Sequence, residues 1–318
     1  MHAWILSDGH AGNRRQAAAL AAALDCADSR EHLLRPRAPW RWAAPRRLPG
    51  ATQAFGDPFA TALQAPPALA IGCGRQAALA TRLLRERGAR VVQILDPRID
   101  PRHWDLVIAP EHDRLHGDNV ITLLGSLHPV DDAWLAQARD DFALFAQLPQ
   151  PRTSLLIGGP TANVRQDDAG FAAGLARLGD SLRREGGSLL VTSSRRTSAV
   201  WRDAVQRQLA GIPGLRWFAP THATAGDEDN PYPGLLAWAD RIVCTPDSVN
   251  MLSEACATRA PVFVLDPARA RGRPRHFLDA LLQRDRIRAA DDTLAAFPVE
   301  PLRETARVAA EVRARLRL

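Results

Sequence analysis

The sequence contains no lysine, because all 41 residues counted as Lys or Arg are arginine. An enzyme that forms a Schiff base needs a lysine amine, and a Walker A phosphate loop needs a lysine after its glycines. Both classes are therefore excluded. Arginine can still bind phosphate, since its planar guanidinium donates two parallel hydrogen bonds to oxyanions. Phosphate recognition in this chain has to rely on arginine, hydroxyl groups and backbone N–H groups.

Cysteine and long apolar runs are also scarce. The four cysteines form no Cys-x-x-Cys pair, and each lies in or beside an apolar run. This pattern predicts buried free thiols in a reducing compartment. No run approaches the ~20 apolar residues that cross a bilayer, and Asp8 and His10 interrupt the stretch that would form a signal peptide. We expect a cytoplasmic protein, at most peripheral on the inner face of the membrane.

The charge pattern favours a solvated surface. The arginines are interspersed with 35 acidic residues, which leaves a net charge of +6 and no basic face with regular aromatics. We therefore expect no nucleic-acid partner. Residues 35–47 are an exception, because they combine five arginines with Trp40 and Trp42. Two interpretations stay open: contact with anionic lipid headgroups, or a proline-rich surface loop whose tryptophans point inward.

The chain of 318 residues is longer than one hydrophobic core usually supports, so two domains are expected. Short apolar segments alternate with helical stretches, which is typical of parallel α/β sheets. The strands are predicted at 4–7, 68–71, 91–95, 106–109, 120–123, 154–157, 188–192, 241–244 and 262–265. The pattern restarts after a linker at 148–151. We expect two doubly wound, Rossmann-like domains, 1–148 and 149–300, facing across a cleft, with a C-terminal helix at 301–318 that packs back on the first domain.

The loop after the first predicted strand carries a candidate general base. Ligands of open parallel sheets bind beyond the carboxyl ends of the strands. This loop contains Asp8, Gly9, His10, Gly12 and Asn13. Glycines permit tight turns, while Asp8 or His10 can take a proton from a substrate hydroxyl. The alternative is a capped turn in which Asp8 bonds its own backbone.

Other loops of the first domain are weaker candidates. Gly74 and Arg75 open a helix, and His128 ends this half and is expected to point into the cleft. His112 and His116 are four residues apart, but Gly117 and the polar run around them favour a loop over a helix. We therefore predict no metal site.

Two loops of the second domain have the composition of a phosphate site. Gly158, Gly159 and Thr161 follow its first strand, and Ser193, Ser194, Arg195 and Arg196 follow the next. Adjacent glycines let the backbone approach an anion, and hydroxyls with guanidiniums can bind a diphosphate. The alternative is a helix N-cap cluster with two solvated arginines.

A third loop leads into a helix that carries Asp247, Ser248, Asn250 and Glu254. Hydroxyls and acids are favoured at a helix start. Glu254 shares a helical face with Asn250, so it can accept the hydroxyls of a ribose whose phosphates lie at the helix start.

These motifs carry a family resemblance. Residues 247–255 with 259–264 resemble the nucleotide-sugar motif of glycosyltransferase-B enzymes. More closely, the chain resembles the "elongated mitochondria" family, the mitochondrial fission factors of plants and their bacterial relatives. The matching segments are 7–12 with Gln16, then 72–75, 93–97, 157–160, 192–195 and 230–232. The resemblance implies a glycosyltransferase-B-like fold in which Ser248 and Glu254 hold the donor's phosphate and ribose.

The resemblance also implies further contacts and one conflict. The segment 218–220, which begins with Phe218, falls where the base meets backbone, and Asn230 and Tyr232 are placed on the cleft. The transferase motif has Ser-Gly or Gly-Gly at the helix start, where this chain has Asp247-Ser248. An acid there repels a diphosphate unless it caps the helix or binds sugar hydroxyls.

We therefore expect a metal-independent, inverting transferase that uses a nucleoside diphosphate sugar and no cofactor. Its acceptor is expected to be lipid-linked or an envelope glycan. Two alternatives stay open: a non-catalytic nucleotide-binding scaffold and a sugar-nucleotide epimerase.

Overall fold

The computed structural model describes residues 2–165, 167–219 and 230–318. The prediction for the base at 218–220 falls partly on Pro220, which lies outside the described residues. The polar composition of residues 221–230 predicts a loop, and residues 221–229 also lie outside the described residues. The chain divides into two compact units, Met1–Pro129 with Glu304–Leu318, and Val130–Arg303. No helix among the described residues is both long enough and apolar enough to span a bilayer.

The first unit is built on a six-stranded parallel sheet. Its strands lie in the order β2-β1-β3-β4-β5-β6, so the chain winds outward from β1 on one side and from β3 on the other. The elements up to residue 129 are β1 His2–Ser7, α1 Ala11–Ala23, β2 Asp28–Leu33, α2 Trp40–Ala43, α3 Asp57–Ala62, β3 Leu69–Cys73, α4 Arg75–Arg85, β4 Arg90–Ile94, β5 Leu106–Pro110 and β6 Val120–Leu123.

Strand β3, which lies inside this sheet, is apolar along its whole length because both faces of the sheet are covered. Every residue of β3 is buried. Its side chains alternate between two cores, since Ala70 belongs to one and Leu69 and Ile71 belong to the other. This alternation follows from the two-residue period of a strand and is typical of buried parallel sheets.

The second unit repeats this plan with another strand order, β12-β11-β10-β7-β8-β9, again parallel. This is the Rossmann order, with β7 and β10 at the point where the winding reverses. Its elements are α5 Asp132–Asp141, β7 Arg152–Ile157, α6 Asp168–Glu185, β8 Ser188–Ser193, α7 Ala199–Gln208, β9 Gly214–Phe218, α8 Tyr232–Ala237, β10 Arg241–Cys244, α9 Val249–Cys256, β11 Val262–Val264, α10 Gly272–Gln283 and β12 Ile287–Ala289.

The boundaries between the units differ from the predicted ones at 148 and 300. Helix α5 belongs to the second unit, where Arg139 Nε donates to the carbonyl of Ala237 at 2.9 Å. The last helix, α11 Thr305–Leu316, belongs to the first unit. There Val308 and Val312 are buried in the core. Packing, rather than the proline-rich segment at 148–151, sets the division.

The C-terminal end of α9 is fixed by a buried arginine. Arg286 is 4% exposed. Its Nε donates to the carbonyl of Cys256 at 2.9 Å, and its Nη2 donates to the carbonyl of Thr258 at 2.9 Å. Helix C-termini leave carbonyls without intrahelical donors, and a cation there also complements the helix dipole. Arg286 therefore holds in place the helix that follows the loop at 245–248.

We predict that Arg286→Met destabilises the protein by about 3 kcal/mol, because it leaves several buried carbonyls without a donor. Chemical denaturation followed by circular dichroism measures the free energy of unfolding. Arg284→Met, two residues away and exposed, is the matched control, for which we expect a change of no more than about 0.5 kcal/mol. Equal losses in the two variants would contradict this role.

Candidate functional site

The strongest candidate site lies at the carboxyl edge of the second sheet, where β7 and β10 are neighbours. The winding of the chain reverses between β7 and β10, so the loops after these two strands lie at the switch point of the sheet. Such switch points are where open α/β sheets bind ligands. The loop after β8, which pairs with β7, reaches the same edge.

The three loops converge on the carboxylate of Asp247. Its Oδ2 accepts from the N–H of Gly159 at 2.9 Å and from Arg196 Nη2 at 2.8 Å. Its Oδ1 accepts from the hydroxyl of Thr245 at 2.7 Å. We call these three donors, Gly159 N–H, Arg196 guanidinium and Thr245 hydroxyl, the anion site. A backbone amide, a cation and a hydroxyl on one oxyanion form the kind of donor set that binds phosphate.

Glycine is required at both positions after β7 because atoms of other loops lie very close to their Cα atoms. A Cβ on Gly158 would lie 2.0 Å from Asp247 Oδ2, and one on Gly159 would lie 2.5 Å from the carbonyl oxygen of Arg196. Any side chain at either position would therefore displace its neighbours.

The loop after β8 is tied to the end of β7. The N–H of Ser194 donates to the carbonyl of Ile157 at 2.7 Å, and the hydroxyl of Thr197 donates to the carbonyl of Gly158. Ser193 accepts from the N–H of Ala219 at 3.2 Å, which joins the ends of β8 and β9. These bonds hold Arg196 beside the glycine turn.

The structure differs from the sequence analysis in how these donors are used. The N–H of Gly158 donates to the Thr245 hydroxyl at 2.8 Å and that of Gly159 to Asp247, so both predicted phosphate donors have partners within the chain. Asp247 does not cap α9. Ser248 does so, by accepting from the N–H of Met251 at 3.3 Å.

Glu254, predicted to bind ribose, is 2% exposed. The hydroxyl of Tyr232, at the start of α8, donates to its carboxylate. Asn230 accepts from the N–H of Tyr232 at 3.0 Å and so begins that helix. The carboxylate of Glu254 is thus buried and has a hydrogen-bond donor within the chain.

The remaining predicted residues of this unit lie on the same loops or on the elements next to them. Thr161 lies in a turn whose backbone pairs with Val164. Arg195 is exposed, and Asn250 is half-buried on the first turn of α9. Phe218 ends β9 and packs against the core.

In the first unit, the loop after β1 joins Asp8 to His10. Asp8 Oδ1 lies 2.9 Å from His10 Nδ1 and also accepts from the N–H of His10 at 3.1 Å and from Asn13 Nδ2 at 3.0 Å. The His10 side chain is 79% exposed and that of Asp8 is 21% exposed. Asp8 therefore caps its own turn, as one of the two interpretations expected, and its carboxylate also contacts the imidazole of His10.

Loops after β1 and β3 flank the switch point of the first sheet. Gly74 has φ +88°, and a Cβ there would lie 2.6 Å from Asn13 Nδ2, so glycine is needed for both reasons. Gly9 likewise has φ +83°. Gly12 lies in the first turn of α1.

Burial raises the pKa of the Cys73 thiol, at the end of β3, well above its ordinary value, with Asp8 as a smaller cause, so this thiol stays protonated.

The other predicted residues of the first unit have partners of their own. His128 is 4% exposed, and the Thr305 hydroxyl donates to its carbonyl at 2.8 Å. Arg75 donates to the carbonyl of Arg41.

We call residues 35–47 the Trp42 loop. The side chain of Trp40 packs on the core, while Trp42 is 66% exposed. The described residues contain no group of three or more His, Cys, Asp and Glu side chains arranged to hold a metal ion.

Sequence reasoning missed several contributors. Thr245 and Thr197 link the loops of the anion site, and a signal was present, since Thr245 comes directly after a buried strand. In the first unit, Asp113 lies beside Asp96. Burial and, to a smaller extent, the charge of Asp96 raise the pKa of Asp113. That pairing depends on the fold and leaves no sequence pattern.

Solved structures with the same fold include two that contain uridine nucleotides. MnaA of S. aureus with UDP has a TM-score of 0.53 and 13% identity, covering 100% of this chain and 98% of that one. The UDP-GlcNAc 2-epimerase of Neisseria meningitidis, bound to UDP-GlcNAc, has a TM-score of 0.50 and 12% identity, covering 99% and 100%. At such identities the likeness concerns the fold, which is glycosyltransferase-B-like.

Sequence relatives identify the family. Mitochondrial fission protein ELM1 of Arabidopsis thaliana is 31% identical over 284 residues, 79% of this chain and 64% of that protein, so the chain spans less than two thirds of its length. An uncharacterized protein of Rickettsia prowazekii, RP120, is 22% identical, with 100% of this chain and 99% of that protein covered. The sequence model of the family "Mitochondrial fission ELM1" matches residues 11–316. The chain belongs to the mitochondrial fission ELM1 family, as the order of its motifs indicated.

Proposed function

We propose that this chain binds a nucleoside diphosphate sugar at the switch point of its second sheet and transfers the sugar without a metal ion. One observation carries the proposal: Gly159 N–H, Arg196 and the Thr245 hydroxyl converge on a single oxyanion. A departing diphosphate presents oxyanions to the same kinds of donor. Preorganised, charge-assisted hydrogen bonds stabilise the charge that develops as the bond breaks.

The comparisons suggest which nucleotide to test first. The proteins of the same fold named above were solved with UDP and with UDP-GlcNAc. A uridine nucleotide is therefore the first ligand of choice. The ribose contact of Glu254 remains part of the proposal, and it requires that Tyr232 give up its hydrogen bond to that carboxylate.

The base is proposed to be His10, with Asp8 as its positioning residue. The contact of Asp8 Oδ1 with His10 Nδ1 leaves Nε2 for the acceptor. The acceptor hydroxyl gives its proton to Nε2 while its oxygen bonds to the anomeric carbon. The bond from that carbon to the diphosphate breaks, and the electron pair leaves with the diphosphate. Imidazole suits this role because histidine side chains titrate near neutral pH.

For ligand binding, we predict that UDP raises the thermal midpoint, with a stabilisation of about 2.7 kcal/mol when its concentration is 100 times Kd. Arg196→Gln should weaken both UDP and pyrophosphate roughly tenfold, since it removes a charge-assisted hydrogen bond. Glu254→Gln should weaken UDP and leave pyrophosphate unchanged, because pyrophosphate has no ribose. Isothermal titration calorimetry measures both affinities.

Arg207→Gln and Glu300→Gln, both exposed in the second unit, are controls of equal charge change that should bind like the parent protein. If UDP and pyrophosphate leave the thermal midpoint unchanged, the nucleotide site is wrong. If Glu254→Gln weakens both ligands equally, the ribose contact is wrong.

For catalysis, we predict slow release of UDP from a UDP-sugar, with water as acceptor, and an unchanged rate in EDTA. His10→Ala should lower this rate about a hundredfold, the usual contribution of a general base. Chromatography of released UDP measures the rate, and His116→Ala, an exposed histidine of the same unit, is the control. Loss of activity in EDTA would overturn the metal-independent mechanism.

Two other results would favour the alternatives. Tight UDP binding without any release of UDP or change in the sugar supports a non-catalytic scaffold. A sugar inverted at C2, detected by NMR, supports an epimerase, a class to which one protein of the same fold belongs.

The acceptor is proposed to be lipid-linked or an envelope glycan, with the Trp42 loop in contact with anionic headgroups. Trp42 is 66% exposed, Arg41 lies over its ring at 5.5 Å, and all five arginines of the loop are exposed. An arginine near an anionic surface contributes about 1 kcal/mol, and interfacial tryptophan adds apolar area.

We predict co-sedimentation with phosphatidylglycerol vesicles, which high salt weakens, and little with phosphatidylcholine vesicles. Trp42→Ser should reduce the bound fraction. Leu144→Ser, at a side chain that is 75% exposed in the second unit, should not. Equal binding to the two kinds of vesicle, or equal loss in the two variants, would rule out this contact.

A further inference from the structure

We infer that the Asp247 carboxylate is an intramolecular occupant of the anion site, which a diphosphate must displace, so that Asp247 limits the affinity of the chain for its ligand. This inference rests on the proposed function because it concerns the same site. It identifies a residue that competes with the ligand, whereas the sequence had placed Asp247 among the residues that bind it.

The first argument is the geometry of the occupant. The Asp247 side chain is 2% exposed, and both of its oxygens are bound. Oδ2 takes the Gly159 N–H and the Arg196 guanidinium, and Oδ1 takes the Thr245 hydroxyl. Each of these donors suits a phosphate oxygen as well as a carboxylate oxygen. None of them can make a full hydrogen bond to both at the same time. The carboxylate and a diphosphate therefore compete.

The second argument is that no helix cap explains this carboxylate. Ser248 already caps α9 through its contact with the Met251 N–H. The turn after β7 is instead shaped around the carboxylate, since a Cβ on Gly158 would lie 2.0 Å from Oδ2. The glycine leaves a space that Asp247 fills and that another oxyanion can fill when Asp247 moves.

The third argument concerns the route of displacement. The Arg196 side chain is 46% exposed, whereas that of Asp247 is 2% exposed. A ligand from solvent therefore meets the guanidinium first and shares it, which weakens the hold on Asp247. The Gly159 N–H and Thr245 hydroxyl become available only once the carboxylate turns away. A buried carboxylate left beside a diphosphate repels it, so the exchange has to be complete.

The test compares Asp247→Asn with the parent protein in calorimetric titrations with UDP and with pyrophosphate. Removing the competing charge should tighten both ligands by about tenfold or more, the equivalent of roughly 1.4 kcal/mol. Asp203→Asn removes the same charge from an exposed position on α7 and should leave both affinities unchanged. Thermal unfolding of each variant checks that it is folded.

The same substitution is then made in the Arg196→Gln variant, which separates competition for the anion site from a structural role of Asp247. In Arg196→Gln, the substitution Asp247→Asn should bring a much smaller gain, because the guanidinium that the carboxylate occupied is absent. Asp247→Ser is measured in parallel. This variant also removes the charge, so it keeps the test open if Asp247→Asn fails to fold, and it should also bind more tightly.

The outcomes distinguish this inference from the proposed function. If the parent protein binds UDP and folded Asp247 variants bind it no more tightly, or more weakly, Asp247 is a positioning residue for Arg196 and the inference is overturned. If neither the parent protein nor the variants bind UDP or pyrophosphate, the proposed function fails with it. If Asp247→Asn still tightens binding tenfold in the Arg196→Gln background, the inference that Asp247 and the ligand compete for the guanidinium is also overturned.

Discussion

The carboxylate of Asp247 organises the carboxyl edge of the second sheet. Three loops that are far apart in sequence supply its donors, from Gly159, Arg196 and Thr245. A buried carboxylate without such partners is strongly destabilising, so the loops and the acid stabilise one another. The strand order makes the meeting possible, because β7 and β10 are neighbours although β8 and β9 lie between them in sequence.

The architecture was largely predictable, and the parts that were missed share a cause. A buried strand such as β3 is a continuous apolar run, which a sequence displays directly. The edge strands β2, β9 and β12 were not predicted. In β2 the residues Asp28–Leu33 are mostly exposed, so burial imposes no pattern on them. Backbone pairing with a neighbour, which any side chain allows, is what makes them strands.

The residues that supply donors to the candidate site could be predicted from the sequence, but the hydrogen-bond partners of those donors could not. Glycine pairs, hydroxyls and arginines after parallel strands must meet at one edge, so Gly159 and Arg196 could be named from position alone. Whether a donor is already bound within the chain depends on distances that only the fold supplies. Glu254 shows the same limit, because Tyr232 lies on another helix and covers a carboxylate that helical spacing had placed on an open face.

Both sheets place an acid directly beyond a strand at their switch points, and the surroundings give the two acids different chemistry. Asp8 is partly exposed and contacts an imidazole that faces solvent, so a proton can pass between that imidazole and a ligand. Asp247 is buried and contacts a guanidinium, a group suited to binding oxyanions rather than to proton transfer. The same residue type thus holds an imidazole in the first unit and a guanidinium in the second, and for this reason the proposals assign proton transfer to the first pair and anion exchange to the second.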